Sequence, residues 1–211
     1  MKPLHLSPLM LLYCFLQFQP VAKAQTLAAI RLISGERKTN CEFIYQVGSI
    51  EVSVDQHGRI RLNYDAREPA QFATAFDADA IEGRPIQING VPIKYYNQFD
   101  MDNLGKVKSI GDINIAYYDR FDLDNKGKVK SIGTIRFTYF DRFDMDNQGK
   151  IKMAGNIPVS YYDRFDMSNK GNIKSIGNST ITYYDDFDDR SLIGRIKAIR
   201  GNTPKLFVET F

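Results

Sequence analysis

The chain repeats itself every 22 residues, and this period limits its possible folds more than any other feature. The words "YYDRFDLDNKGKVKSIG" at 117–133 return as "YFDRFDMDNQGKIKMAG" at 139–155 and as "YYDRFDMSNKGNIKSIG" at 161–177. Aligned on the aromatic pair, the units begin at Tyr95, Tyr117, Tyr139, Tyr161 and Tyr183. A phenylalanine column runs Phe99, Phe121, Phe143, Phe165 and Phe187, and one glycine column runs Gly105, Gly127, Gly149 and Gly171, with Gly194 displaced by one residue. A second glycine column is Gly111, Gly133, Gly155 and Gly177. A short fixed period marks an array in which no unit buries its apolar face alone.

Within one unit, "TIRFTYFDRF" alternates Ile135, Phe137, Tyr139, Asp141 and Phe143 with Arg136, Thr138, Phe140 and Arg142. Period two over ten residues predicts a strand whose first set faces the core. Next, "DMDNQG" supplies Asp, Asn and Gly where a chain reverses, with Gly149 free to take a positive φ. "KIKMAG" then reads as a shorter returning strand, so each unit is a hairpin. Fainter copies stand upstream at 50–62 and 76–96.

The expected class is all-β, an antiparallel meander of these hairpins. A parallel β-helix is the alternative that also suits a 22-residue period. It would stack Lys108, Lys130, Lys152 and Lys174 on one another at about 4.8 Å, with like charges directly opposed. In a meander the same lysines lie two strands apart, about 10 Å, where salt screens them. Pro158, inside a predicted strand, cannot donate to a ladder and is an objection to either arrangement. The apolar face needs a cover, for which a short helix within 66–82 or a curl of the sheet onto itself are the candidates.

The amino end sets the compartment. Lys2, an apolar run from Leu9 to Leu16, and Ala22 and Ala24 read as a secretory signal peptide over 1–24, cleaved after Ala24. No other apolar run approaches the length of a membrane helix, so no membrane span is expected. The expected organisation is this signal, an N-terminal cap of degenerate hairpins over 25–94, five repeats over 95–201, and a C-terminal tail or cap over 202–211. The mature chain keeps one thiol, Cys41, so no internal disulfide forms. An exported chain without disulfides points to a bacterial periplasm or secretion from a bacterium. Lys and Asp alternate along the repeats and the net charge is +3, so nucleic acid is not an expected partner.

Three groups of residues invite a chemical reading. His57, in the turn "DQHGR", and Cys41 lack the neighbours of a catalytic pair, so no enzyme and no cofactor are expected. The turns "DMDNLG", "DLDNKG" and "DMDNQG" place Asp100, Asp102, Asp122, Asp124, Asp144 and Asp146 at alternate positions before a glycine, as calcium loops do. Their fifth position holds Leu104, Lys126 or Gln148 where a calcium loop has an oxygen donor, and Gly111 stands where its final glutamate belongs. A calcium-stabilised repeat is therefore the alternative function. The third group, Tyr96, Tyr118, Phe140, Tyr162 and Tyr184, forms an aromatic column on the wetter face, suited to a protein or glycan partner.

The run "YYDRFD…GKVKSIG" resembles the YD-type hairpin repeats of bacterial surface and toxin shells, and short repeats of uncharacterised secreted bacterial proteins, over about residues 95–200. The resemblance implies hairpin architecture and an envelope or extracellular setting, with no activity attached. Here the tyrosine-aspartate pair is separated from the glycine by a longer insert, and five units are too few for an enclosing shell.

Overall fold

The computed structural model describes residues 25–35, 38–74 and 81–210; the signal segment expected over 1–24 lies outside them. Every regular element among the described residues is a strand. Apolar residues alternate with polar ones along much of the segments that become β1 (Thr26–Ser34), β2 (Thr39–Val47), β3 (Ile50–Asp55) and β4 (Ile60–Asn63). Next come β5 (Ala70–Phe72), β6 (Pro85–Ile88), β7 (Val91–Tyr95), β8 (Val107–Ile110), β9 (Ile113–Tyr117) and β10 (Val129–Ile132). The chain continues through β11 (Ile135–Tyr139), β12 (Ile151–Ala154), β13 (Ile157–Tyr161), β14 (Ile173–Ile176), β15 (Ser179–Tyr183), β16 (Ile196–Arg200) and β17 (Leu206–Thr210).

Strands β5 to β16 form one twelve-stranded sheet in strict chain order. All its pairings are antiparallel, so the array is the meander and not the β-helix. It begins at β5, well before residue 95. The other sheet has the order β17-β1-β2-β3-β4, and β17 lies parallel to β1. Leu206–Thr210 are therefore an integral strand of this second sheet, to which the hairpin at 50–62 also belongs.

Short turns join the strands along one edge. Gly111, Gly133, Gly155 and Gly177 have φ between 54° and 63° while the residue after each stays at negative φ, the pattern of a type II′ hairpin. Pro158 fits because its carbonyl accepts from Gly177 N at 2.8 Å. Its missing N–H faces the same way, where the ladder has already ended in a turn.

The cover for the apolar face is the five-stranded sheet and not a curl of the long sheet onto itself; of the segment 66–82, expected as a short helix, Ala70–Phe72 form β5 and 75–80 lie outside the described residues. Phe43, Tyr45, Val52 and Val54 from the cover share one buried cluster with Ile115, Phe137, Val159 and Ile181 from the meander. Tyr45 meets Phe137 edge to face at 5.8 Å. Three polar links fix where the sheets meet. Val129 N donates to Gly58 O at 3.1 Å, Ile151 N to Gln56 O at 2.8 Å, and Thr39 N to Asn172 Oδ1 at 3.1 Å. The turn between β3 and β4 thus satisfies backbone donors that the meander leaves open, as buried N–H groups demand.

Each unit also contains a β-bulge. Tyr117 pairs with Val129 and Ala116 with Ser131, leaving Lys130 as the extra residue. Lys108, Lys152, Lys174 and Lys197 are the extra residues of the equivalent bulges. Bulges bend a strand and raise its twist, which lets a long sheet curve over a smaller one.

Candidate functional site

The long loops all lie along the other edge of the meander, and each is rigidly built. In the loop between β9 and β10, Tyr118 N donates to Lys128 O at 3.0 Å and Gly127 N to Tyr118 O at 2.8 Å, closing the neck. Asp119 Oδ1 accepts from Phe121 N at 2.9 Å, and Asp122 Oδ1 accepts from Asn125 N at 3.0 Å, the side-chain-to-backbone bonds for which Asp suits turns. Lys128 Nζ reaches Asp124 O at 3.0 Å and Asn125 Oδ1 at 3.3 Å while standing 4.9 Å over the Tyr139 ring. Lys106 and Lys150 hold the same place in their loops. Burial lowers the pKa of all three ammonium groups, opposed by nearby aspartates.

The aspartates proposed for calcium have protein partners. Asp102, Asp124 and Asp146 each bond the arginine of the next unit, Arg120, Arg142 and Arg164, at 2.9 to 3.0 Å. The Arg164 hydrogen bond holds the Asp146 carboxyl below its usual range. In the fourth unit both members of the pair change together, and Ser168 Oγ donates to Asp186 Oδ2 at 2.6 Å. Asp100, Asp122 and Asp144 are near the asparagine of their own turn, at 3.4, 3.1 and 3.3 Å. No cluster of three or more His, Cys, Asp or Glu suited to a metal occurs among the described residues. Because a lysine ammonium already stands among each loop's oxygens, millimolar calcium is expected to leave the melting temperature unchanged within about 1 °C. A rise of many degrees, reversed by a chelator, would instead identify a bound ion.

This construction leaves apolar tips in water. Phe99, Phe121, Phe143, Phe165 and Phe187 are 85 to 99 % exposed, and Met101, Leu123, Met145 and Met167 are 73 to 86 % exposed beside them. The expectation that the phenylalanine column shares the core face is corrected here. The strand β11 ends at Tyr139, Phe140 N turns to the carbonyl of Lys150 at 2.9 Å, and Phe143 follows an Asp141 turn instead of continuing the pleat.

The rings of the aromatic column are half-buried and engaged. Tyr96, Tyr118, Phe140 and Tyr162 meet the first tyrosine of the following unit edge to face at 5.9 to 6.1 Å. The hydroxyls of Tyr96, Tyr118 and Tyr162 donate to backbone carbonyls of Ile115, Phe137 and Ile181. A bulge lysine caps each ring, including Tyr184, at 5.4 to 5.6 Å, within cation–π reach. What the outer face offers to a partner is therefore lysine rather than a bare ring. Between successive loops run open grooves, one of about 660 Å³ lined by Phe140, Phe143 and Met145 with Lys152 and Arg164 among the aspartates Asp141, Asp144, Asp146 and Asp163. An equivalent groove of about 510 Å³ has Tyr118, Phe121, Leu123, Lys130 and Arg142.

Neither residue considered for catalysis lies here. Cys41 is fully buried, and burial pushes its thiol up to about 12. His57 sits in the turn between β3 and β4, where burial lowers its pKa and its ring stands 3.3 Å from Gln56 Nε2.

The molecule is thus an all-β repeat protein in which a capped meander displays a periodic row of grooves and apolar loop tips. No protein-family model, no curated protein and no solved structure matches the chain.

Proposed function

We propose that the chain is an exported, non-enzymatic binding module of the cell envelope or extracellular space, acting through the loop edge and the adjoining outer face of its long sheet. The observation that carries this reading is the row of five exposed phenylalanines. At about 150–250 Å² per aromatic side chain they leave on the order of 800 Å² of ring surface in water. A monomer's largest apolar patch is typically about 300–600 Å² and is often functional. The loops around these rings are held by internal hydrogen bonds and inter-unit ion pairs, so each ring is presented in a fixed place.

The test separates binding from folding. Changing Phe121, Phe143 and Phe165 together to Ser removes three rings that are 85 to 90 % exposed, so stability should stay within about 0.5 kcal/mol per site. Sedimentation with isolated bacterial cell envelopes should fall sharply. Equal sedimentation of wild type and triple variant would remove the loop row from function.

A further inference from the structure

Along the chain Lys and Asp alternate, but the fold sorts them. Strands β5 to β16 contain no Asp or Glu, and their charged residues are the five bulge lysines, Lys94, Arg136 and Arg200, all exposed. The carboxylates of the repeats are confined to the turns, chiefly the loop edge, where the arginine of the next unit neutralises several. Among the bulge lysines, Lys197 is held by Asp188 at 2.8 Å, whereas Lys108, Lys130, Lys152 and Lys174 have no carboxylate partner among the described residues. A chain of net charge +3 therefore turns an entirely cationic sheet face to solvent.

From this sorting we infer that the outer face of the meander binds an acidic polysaccharide, a linear glycan carrying a carboxylate on its sugars, laid across the strands. This rests on the binding-module reading above and names the partner's chemistry. The four free lysines recur every second strand, about 9.6 Å apart. An extended partner with anionic groups at a comparable or commensurate step is needed to meet them all. Lysine is a point charge, without the fork by which arginine grips phosphate. Between the lysines the strands offer Asn114, Thr138, Ser160 and Thr180, side chains that exchange hydrogen bonds with sugar hydroxyls. The phenylalanine tips run parallel to the lysines at the same step. In the two grooves, Phe143 lies with Lys152 and Phe121 with Lys130, but aspartates outnumber cations there, so the glycan's carboxylates meet the lysines from the strand side, with the rings flanking them.

Polygalacturonate is the probe, with neutral dextran, single-stranded poly-dT and phosphatidylglycerol vesicles as comparisons. Affinity electrophoresis should show retardation by polygalacturonate that weakens as salt rises, and none by dextran. Changing Lys108, Lys130, Lys152 and Lys174 to Gln should weaken binding by about tenfold or more, and the corresponding Arg variant should retain it because the positive charges remain. The double change Lys126→Gln and Lys170→Gln alters loop lysines on other sites and should shift binding by less than about twofold. If the quadruple Gln variant melts early, the pair Lys130→Gln and Lys152→Gln carries the test, with an expected loss of about threefold. Absence of polygalacturonate binding, tighter binding to poly-dT or vesicles, or equal loss in the loop control would overturn the inference. Should polygalacturonate fail while the phenylalanine variant still loses envelope binding, the partner is wrong and the binding module stands.

Discussion

Tyr139→Ala is expected to lose about 3–5 kcal/mol in chemical denaturation, whereas Tyr162→Ala should lose about 1–2. The two residues are first and second members of the aromatic pair, and they face opposite sides of the same sheet. Tyr139 is buried, donates from Oη to Val129 O at 2.6 Å, receives the Tyr118 ring edge to face, and carries Lys128 over its own ring. Its removal opens a cavity under the covering sheet and strands a carbonyl. Tyr162 is half-buried, so its removal forfeits one ring contact and one hydrogen bond to Ile181 O. Equal losses would mean that both faces of the meander are covered, leaving no open outer face for a partner.

Gly58→Ala should cost about 2–4 kcal/mol, from left-handed strain and overpacking together. Gly58 has φ 76°, and a Cβ there would lie 2.6 Å from Tyr139 Cζ, inside the phenol that the β3–β4 turn packs against. In a Tyr139→Ala background the overlap disappears and the same change should cost only about 1 kcal/mol, the residual backbone strain. A double-mutant cycle measures this coupling. Strict additivity would show that the turn and the tyrosine do not share a contact.

The meander was legible because period-two alternation and the two glycine columns each named a local event, a strand or a reversal. The inward tyrosines followed from the same pleat. Phe143 was misplaced because the pleat was carried through Asp141, whose carboxylate instead takes the Phe143 N–H and turns the chain. A signal for the loop existed in the pairs 18 residues apart, where Asp102, Asp124 and Asp146 face Arg120, Arg142 and Arg164 and the fourth pair changes to Ser168 and Asp186. The bulges had no signal of their own, since "KVKSI" reads as regular alternation. Sheet registers placed Lys130 and its equivalents as extra residues, and with that placement came the cationic face. The cover was hidden for a different reason: β1 and β2 carry no repeat, β3 and β4 only a faint copy of it, and the parallel pairing of β17 with β1 joins residues 176 positions apart, such as Ile30 and Leu206.

That parallel strand, with the three polar links between the sheets, governs how many copies of the unit the gene can hold. Near-identical tandem segments invite unequal recombination, which adds or deletes 22 residues at a stroke. One added unit between β13 and β16 would carry the chain's exit about 9.6 Å further from β1. With Thr203 still bonded to Ile176 O and Ser179 Oγ of the last unit, β17 would be drawn off its partner. One added before β14 would move Asn172 off Thr39 N and put a lysine, the residue of every earlier unit at that place, opposite that donor. Copy number is therefore set by the non-repeating sheet, and drift in the array should be confined to point changes within units.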